Sequence, residues 1–197
     1  MTRYPEPGKC KKRLAKHIGA KDAAEIHRRL AERTIQVCCA FRKESGAELV
    51  VLYSGGSRYL MENWLGMGTR LLRQKGAHLG ERMKKAFDWA FGRGAKRAIL
   101  VGTDCPELSE EVLLEGFSLL SQCDLVLGPA RDGGYYLIGF RRPCSALFEN
   151  ISWGSSKVLD ETIQKARAVG LSTRFTMALS DLDTMEDLLH FKVFITS

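Results

Sequence analysis

Short apolar runs that end in glycine or aspartate alternate with amphipathic segments along this chain, and that alternation leaves few folds open to it. "AELVVLYSG" (47–55) is an apolar run closed by Ser54, Gly55 and Gly56 and reads as a strand buried on both faces. "RAILVGTDCPEL" (97–108) and "DLVLGPA" (124–130) repeat the pattern, with Gly102 and Gly128 marking where each strand leaves its sheet. Between them the period changes. Ile26, Leu30, Thr34, Val37 and Phe41 recur at spacings of three and four, which predicts an amphipathic helix over 21–43. A short helix over 59–65 and a short strand over 69–73 follow, then a helix from about Gly80 carrying Met83, Phe87, Ala90 and Phe91, stopped by Gly92 and Gly94. Ser109 opens a helix with Leu113, Phe117 and Leu120 on its face, and the "ISWGSS" loop leads, through Ser155 or Ser156 as cap, into one that Gly170 ends. A strand near 172–179, the acidic loop "SDLDT" and a helix from Thr184 complete the reading. Helices alternating with short strands predict an α/β three-layer sandwich with a mostly parallel central sheet, and 197 residues suit one domain over 1–197.

Composition narrows the class. Hydrophobic residues make up 45% and charged ones 27%, and no apolar run reaches the length of a membrane span. The basic N-terminus has no apolar stretch behind it, so the expectation is a cytoplasmic protein, neither exported nor membrane-spanning. Six cysteines without C-x-x-C spacing read as reduced, mostly buried thiols, and four scattered histidines fit no zinc spacing. Residues 1–16 hold six basic side chains against Glu6 alone, so a local excess of five sits inside a net charge of +7. Charge so concentrated, with no aromatics interleaved, points to a focused anion site and away from nucleic acid.

In open α/β sheets ligands bind beyond the carboxyl ends of the strands. The loops placed there, "GTDCPEL", "GPARDGG" and "SDLDT", all carry aspartate. Asp104, followed by Cys105 and Pro106, is either a turn-forming or capping residue or a ligand for a hard cation. Asp181 and Asp183 would point the same way in an extended loop, whereas Thr184 with Glu186 and Asp187 reads equally as an N-cap with acids in its first turn. Two aspartates suffice for magnesium or manganese when a diphosphate supplies the other oxygens. The loop "PEPGKCKKRL" offers Gly8 for close backbone approach and Lys9, Lys11 and Arg13 as donors to phosphate, against the plainer reading of a solvated basic terminus. In "GPARDGGYYLIG", Gly133 and Gly134 either admit a bulky ligand beside Asp132 or form a plain turn between two strands. Tyr135 and Tyr136 alternate, so that one faces the site and the other packs.

The runs "RYPEPGKCKKRL", "LGERM", "GTDCPEL", "GPARDGGYYLIGF", "ISWGSS" and "DLDTMEDL", in this order from Arg3 to Leu188, resemble a bacterial glycosyltransferase-like family of GT-A fold. It is nucleotide-diphospho-sugar transferase-like and was formerly a domain of unknown function; some members are linked by genomic context to arsenosugar biosynthesis. The family is in turn similar to the nucleotidyltransferases for molybdopterin and for 2-phospholactate. The resemblance implies that Gly8, Lys9, Lys11 and Arg13 hold nucleotide phosphates, with Glu81 and Arg82 near the nucleotide. It further implies Asp104 as the metal aspartate and catalytic centre, Asp183 or Asp181 as a second carboxylate on Mg2+ or Mn2+, and a pocket of Gly133, Gly134, Tyr135 and Trp153 beside Asp132.

This chain departs from the family in two places. Lys12 stands where a threonine is common, and only Met1 and Thr2 precede Arg3 where the family has an apolar strand, so the first strand is expected to be missing. The activity implied is metal-dependent glycosyl transfer from a nucleotide-sugar donor to a small-molecule acceptor hydroxyl, which Asp132 would orient or deprotonate. A nucleotidyltransferase of the same fold, or a noncatalytic nucleotide-binding domain, would share these features. Donor base, sugar, acceptor and oligomeric state are not encoded in any motif.

Overall fold

Leu14, Leu182 and Met61 are each fully buried, and around such side chains the chain folds into two compact units. The computed structural model describes residues 1–191; the last six residues of the expected 1–197 domain lie outside the described residues.

The first unit takes Met1–Arg73, Gly102–Glu110 and the chain from Ser180. Its sheet is wholly parallel, in the order β1 (Thr2–Arg3), β2 (Val51–Ser54), β3 (Leu71–Arg73). Where the first strand is expected to be missing, two residues form one, with Thr2 opposite Tyr53 and Arg3 opposite Ser54. On β2 only Val51 and Tyr53 are buried, while Leu52 and Ser54 are half-buried, so its two faces differ more than its apolar composition implies. Among the described residues its helices are α1 (Lys12–Ile18), α2 (Ala20–Ser45), α3 (Arg58–Leu65) and α7 (Met185–His190). The periodicity over 21–43 is that of α2, which Gly46 ends in the left-handed conformation that glycine adopts at least cost. One apolar cluster joins Leu14 of α1, Ile26 and Leu30 of α2, Leu182 and Phe191. Another gathers Val51, Tyr53, Met61 and Leu71 beneath Tyr4, Ile35 and Trp64. Burying each such side chain stabilises the fold by about 1.5–3 kcal/mol.

The second unit holds Gln74–Val101 and Glu111–Leu179. Its sheet runs in the order β4 (Ala98–Val101), β6 (Tyr135–Phe140), β5 (Leu125–Pro129), β7 (Thr173–Phe175). β6 is antiparallel to both neighbours and β5 is parallel to β7, so parallel pairings are in the majority across the two sheets. Leu125, Val126 and Leu127 are all 0% exposed; a strand covered on both faces needs the continuous apolar run that its sequence shows. α4 (Leu79–Gly92), α5 (Glu110–Leu119) and α6 (Val158–Ala168) supply its helices. Phe87 of α4 meets Phe140 edge to face at 4.8 Å and stacks near Phe148 at 6.0 Å. Among the described residues no helix is long and apolar enough to cross a membrane, and the six cysteines are free thiols, four of them buried.

Candidate functional site

The basic segment divides into a turn and a helix. Pro7 and Gly8 occupy the central positions of a turn closed by Lys9 N–H donating to Glu6 O at 3.0 Å, and Gly8 has φ 78, the positive value that the third residue of a type II turn requires. From Lys12 the chain is helical, which the expectation of one continuous loop does not include. α1 has seven residues, one buried apolar side chain (Leu14) and Gly19 directly behind it, too little for its period to stand out beside Lys12, Arg13 and Lys16. Gly8 and Lys9 lie exposed on the turn.

Lys11 caps this helix with φ 43 and ψ 50. A left-handed backbone costs a non-glycine residue about 1–2 kcal/mol, and it is sustained here by the contacts that it permits. The Lys11 side chain is 2% exposed, and its ammonium donates to Asp104 Oδ1 and, at 2.8 Å, to Asp183 Oδ1. Arg13, on the outer side, donates to Asp183 Oδ2 at 3.2 Å. The structure therefore brings together four residues that the sequence singles out from three separate stretches: Lys11, Arg13, Asp104 and Asp183.

Backbone contacts fix the two acidic loops. Leu182 N–H donates to Asp104 O at 2.8 Å, Ser180 N–H to Glu107 Oε2 at 3.0 Å, and Arg33 of α2 donates from Nε to Pro106 O at 2.7 Å. Asp183 leads directly into a complete capping box: Asp187 N–H donates to Thr184 Oγ1, while Asp187 Oδ2 accepts from the N–H groups of Asp183 and Thr184 at 2.9 and 2.7 Å. Such a box stabilises a helix start by about 1 kcal/mol, and here it also orients the neighbouring carboxylate. The capping reading of Thr184 and Asp187 holds, and Asp183 is left over for the site.

The electrostatics follow from that packing. Burial works against the ionised form of Asp104, but the charge and hydrogen bond of Lys11, with a smaller effect from His27, hold its carboxyl below the usual carboxylate range. Burial likewise disfavours the Lys11 ammonium, and the two aspartates outweigh it, so its pKa is raised. Asp104 nevertheless keeps 44% of its side chain open and Asp183 35%, and Asp104 Oδ2 has no hydrogen bond among the described residues.

Asp181 does not join this group. It accepts a hydrogen bond from the Cys105 thiol at 2.7 Å, and burial together with that carboxylate pushes the thiol pKa up, away from nucleophilic use. Asp181 and Asp183 face different partners because the loop between them is not a regular strand and Leu182 is wholly buried. His27, one of the four scattered histidines that fit no zinc spacing, is buried in this unit and donates from Nε2 to Arg3 O at 3.0 Å.

The remaining candidates lie in the second unit, and the structure gives several of them local work. Asp132 Oδ1 accepts from Gly134 N–H at 2.9 Å across the β5–β6 turn, so the plain-turn reading holds; its Oδ2 has no hydrogen bond among the described residues. At Gly133 (φ 90) a Cβ would lie 2.1 Å from Ser156 O, and Leu159 N–H donates to Gly133 O at 2.9 Å. The space expected for a ligand at Gly133 is thus taken by the chain's own backbone. Trp153, expected in a substrate pocket, lies against Gly80 of α4, where a Cβ would come within 2.4 Å of the indole, and stacks near Phe148 at 6.5 Å. Glu81 accepts from Ala77 N–H at 2.7 Å and pairs with Lys85, and Arg82 donates from Nε to Gly76 O at 3.0 Å, so "LGERM" secures the turn that begins α4. Tyr136 donates to Met177 O at 2.9 Å and lies 2.8 Å from Thr176 Oγ1. The Tyr135 hydroxyl is buried with no hydrogen bond within normal geometry among the described residues, and burial raises its pKa against a smaller opposing effect of the Thr162 hydroxyl.

A parallel sheet in one unit, a mixed sheet in the other and paired carboxylates beyond strand ends define an α/β fold of the nucleotide-diphospho-sugar transferase kind. The profile of DUF2064, an uncharacterized protein conserved in bacteria, matches residues 34–155, and the chain belongs to this family. A solved structure from Desulfovibrio desulfuricans G20, provisionally named a nucleotide-diphospho-sugar transferase, matches at 35% identity and a TM-score of 0.91, over 100% of this chain and 86% of that one. More distant likenesses are in fold alone. The inositol-1-phosphate CTP transferase of T. maritima is 18% identical with a TM-score of 0.56, over 98% of this chain and 91% of its own. CMP:2-keto-3-deoxy-manno-octonic acid synthetase, solved with CTP, is 14% identical with a TM-score of 0.53, over 99% and 95%. No curated protein matches the chain by sequence.

Proposed function

We propose that this protein is a metal-dependent transferase that takes a nucleotide-diphospho-sugar as donor and passes the sugar to a hydroxyl of a small acceptor. The observation that carries the reading is the meeting of Asp104 and Asp183 with Lys11 and Arg13, two acids and two bases drawn from three stretches of chain. Their chemistry fits a hard cation and a diphosphate together. Carboxylate oxygens suit Mg2+ or Mn2+, which takes its remaining oxygens from phosphate and water, and Asp104 Oδ2 is a donor not yet engaged. With two negative and two positive side chains the cluster is close to neutral, so a divalent ion is best accommodated when an anionic diphosphate accompanies it.

Asp104 and Asp183 would hold the cation, which when bound offsets charge on the departing diphosphate. Arg13, with 68% of its side chain exposed, donates to the same phosphate oxygens. Gly8 and Lys9 border that binding region on their turn. In the second unit Asp132 keeps one carboxylate oxygen unengaged, which suits it to accept a hydrogen bond from a hydroxyl. A nucleotidyltransferase reading uses the same groups, and the two remote likenesses in fold to CTP-using proteins are the reason to test it.

Calorimetric titration with UDP, GDP and CDP, with and without Mn2+, tests the binding half. Affinity should rise with the metal and Asp104→Asn should lose that rise; equal weak binding by both proteins would reject the reading. Turnover separates the reactions. Metal-dependent release of a nucleoside diphosphate from a nucleotide sugar supports glycosyl transfer, pyrophosphate release from a triphosphate supports nucleotidyl transfer, and binding without either supports a noncatalytic domain. In the first case Asp104→Asn should lower kcat/KM by about a hundredfold or more.

A further inference from the structure

Lys11 is expected to bind phosphate, yet a phosphate cannot reach its ammonium as the protein stands. The side chain is 2% exposed, whereas the two carboxylates that it joins are 44% and 35% open. Solvent and ligands meet the acids and not the amine. A divalent ion approaching those acids meets the ammonium bonded to an oxygen of each, at 2.8 Å for Asp183 Oδ1. Direct metal contact requires about 2.0–2.2 Å to a carboxylate oxygen, which would put two cations side by side on shared ligands. Removing the ammonium first is also unfavourable, because it would leave the two neighbouring carboxylates without the positive charge between them.

Both obstacles disappear if the exchange is concerted. We propose that Lys11 is a displaceable tethered counter-ion. Its ammonium keeps Asp104 and Asp183 paired in the empty protein, and it leaves them for the incoming phosphates only when a divalent cation takes its place. The inference rests on the metal-dependent reading above and adds that cation and nucleotide must bind cooperatively through this one side chain. The left-handed backbone at Lys11 (φ 43, ψ 50) is consistent with a residue held in place by its ion pairs, and the four-carbon stem provides the reach for an ammonium to change partners. Atoms and charge balance without chemistry: one ammonium exchanges two carboxylates for phosphate oxygens.

The test measures Mn2+ binding through the paramagnetic signal of the free ion, and thermal stability in parallel, on the full chain. In the wild type, Mn2+ alone should bind weakly, and saturating UDP or GDP should strengthen it by about tenfold or more. Lys11→Met should bind Mn2+ alone about tenfold more tightly than the wild type, should lose most of the strengthening by nucleotide, and should gain more in melting temperature from Mn2+. Lys11→Gln repeats the measurement should the methionine variant fail to fold. The inference is overturned if either variant binds Mn2+ alone no better than the wild type, or if the wild type binds Mn2+ equally well with and without nucleotide. Absence of any Mn2+ binding by the wild type under every condition would instead reject the metal-dependent reading, and this inference with it.

Discussion

At the scale of single residues, His27 shows how a buried group turns packing into pH dependence. Desolvation holds its pKa below the ordinary value, with Lys11 and Arg3 acting the same way and the Arg3 carbonyl and Asp104 opposing them, so the native imidazole is neutral. The unfolded chain titrates near ~6.5. Below that value the unfolded state takes up a proton that the native state refuses. Stability is therefore complete above about pH 6.5 and is lost as the pH falls toward the depressed native value, by at most about 1.4 kcal/mol per pH unit. Urea midpoints measured between pH 7.5 and 5 should fall, and His27→Gln should flatten the slope even if it lowers the whole curve; parallel slopes would mean that other groups carry the effect. Asp104 was legible for a different reason. A carboxylate between an apolar run and Cys105–Pro106 has few places to go except the rim of a sheet. Its partners were not legible, because Lys11 lies 93 residues from Asp104 and 172 from Asp183, and no local rule reports contacts at such separations.

At the scale of elements, the two glycines of the β5–β6 turn were read correctly as a place of close approach and wrongly as to what approaches. A missing Cβ signals space in the sequence, but whether ligand or backbone fills it depends on where Ser156 arrives, and that is set by α6 and its preceding loop. The distinction can be measured. Gly133→Ala combines φ 90 with a Cβ 2.1 Å from Ser156 O, whereas Gly154→Ala combines φ 85 with open space. The second substitution should cost about 1–2 kcal/mol from backbone conformation alone, and the first at least about 2 kcal/mol more, since a backbone oxygen cannot step aside as a side chain can. Chemical denaturation of the pair checks this; equal losses would mean that the approach at Gly133 is easily relaxed. Long elements with a clear period, such as α2 and α4, were legible to within a few residues. α1 was not, because seven residues that bury only Leu14 are too few to display an apolar period. The "LGERM" pair was ambiguous for the same kind of reason: an acid and an arginine at a helix start serve local backbone as readily as a ligand, and here Glu81 accepts from Ala77 N–H and Arg82 donates to Gly76 O.

At the scale of the whole molecule, the chain passes between its two units at residues 73–74, 101–102, 110–111 and 179–180. The sequence, with its regular alternation of strand and helix, carries no mark of these crossings; two of them, 101–102 and 179–180, fall beside the loops that hold Asp104 and Asp183. Cysteines offer a readout of each unit by itself. Cys10, Cys38 and Cys105 are buried in the first and Cys123 in the second, while Cys39 is exposed and Cys144 partly so. In native protein a thiol reagent should label Cys39 quickly and Cys144 more slowly. With rising denaturant Cys10, Cys38 and Cys105 should become reactive in a single transition, because they belong to one cooperative body; mass spectrometry of the labelled peptides at each concentration would expose three separate transitions if they do not.

The contact between Gly133 and Ser156 has one more effect. Gly133 O receives Leu159 N–H, and no room is left for a Cβ beside Ser156 O, so the tip of one hairpin is held close against the start of α6, more than twenty residues away in sequence. Opening of one segment should therefore disturb the other, and amide exchange at the two places should slow or quicken in step.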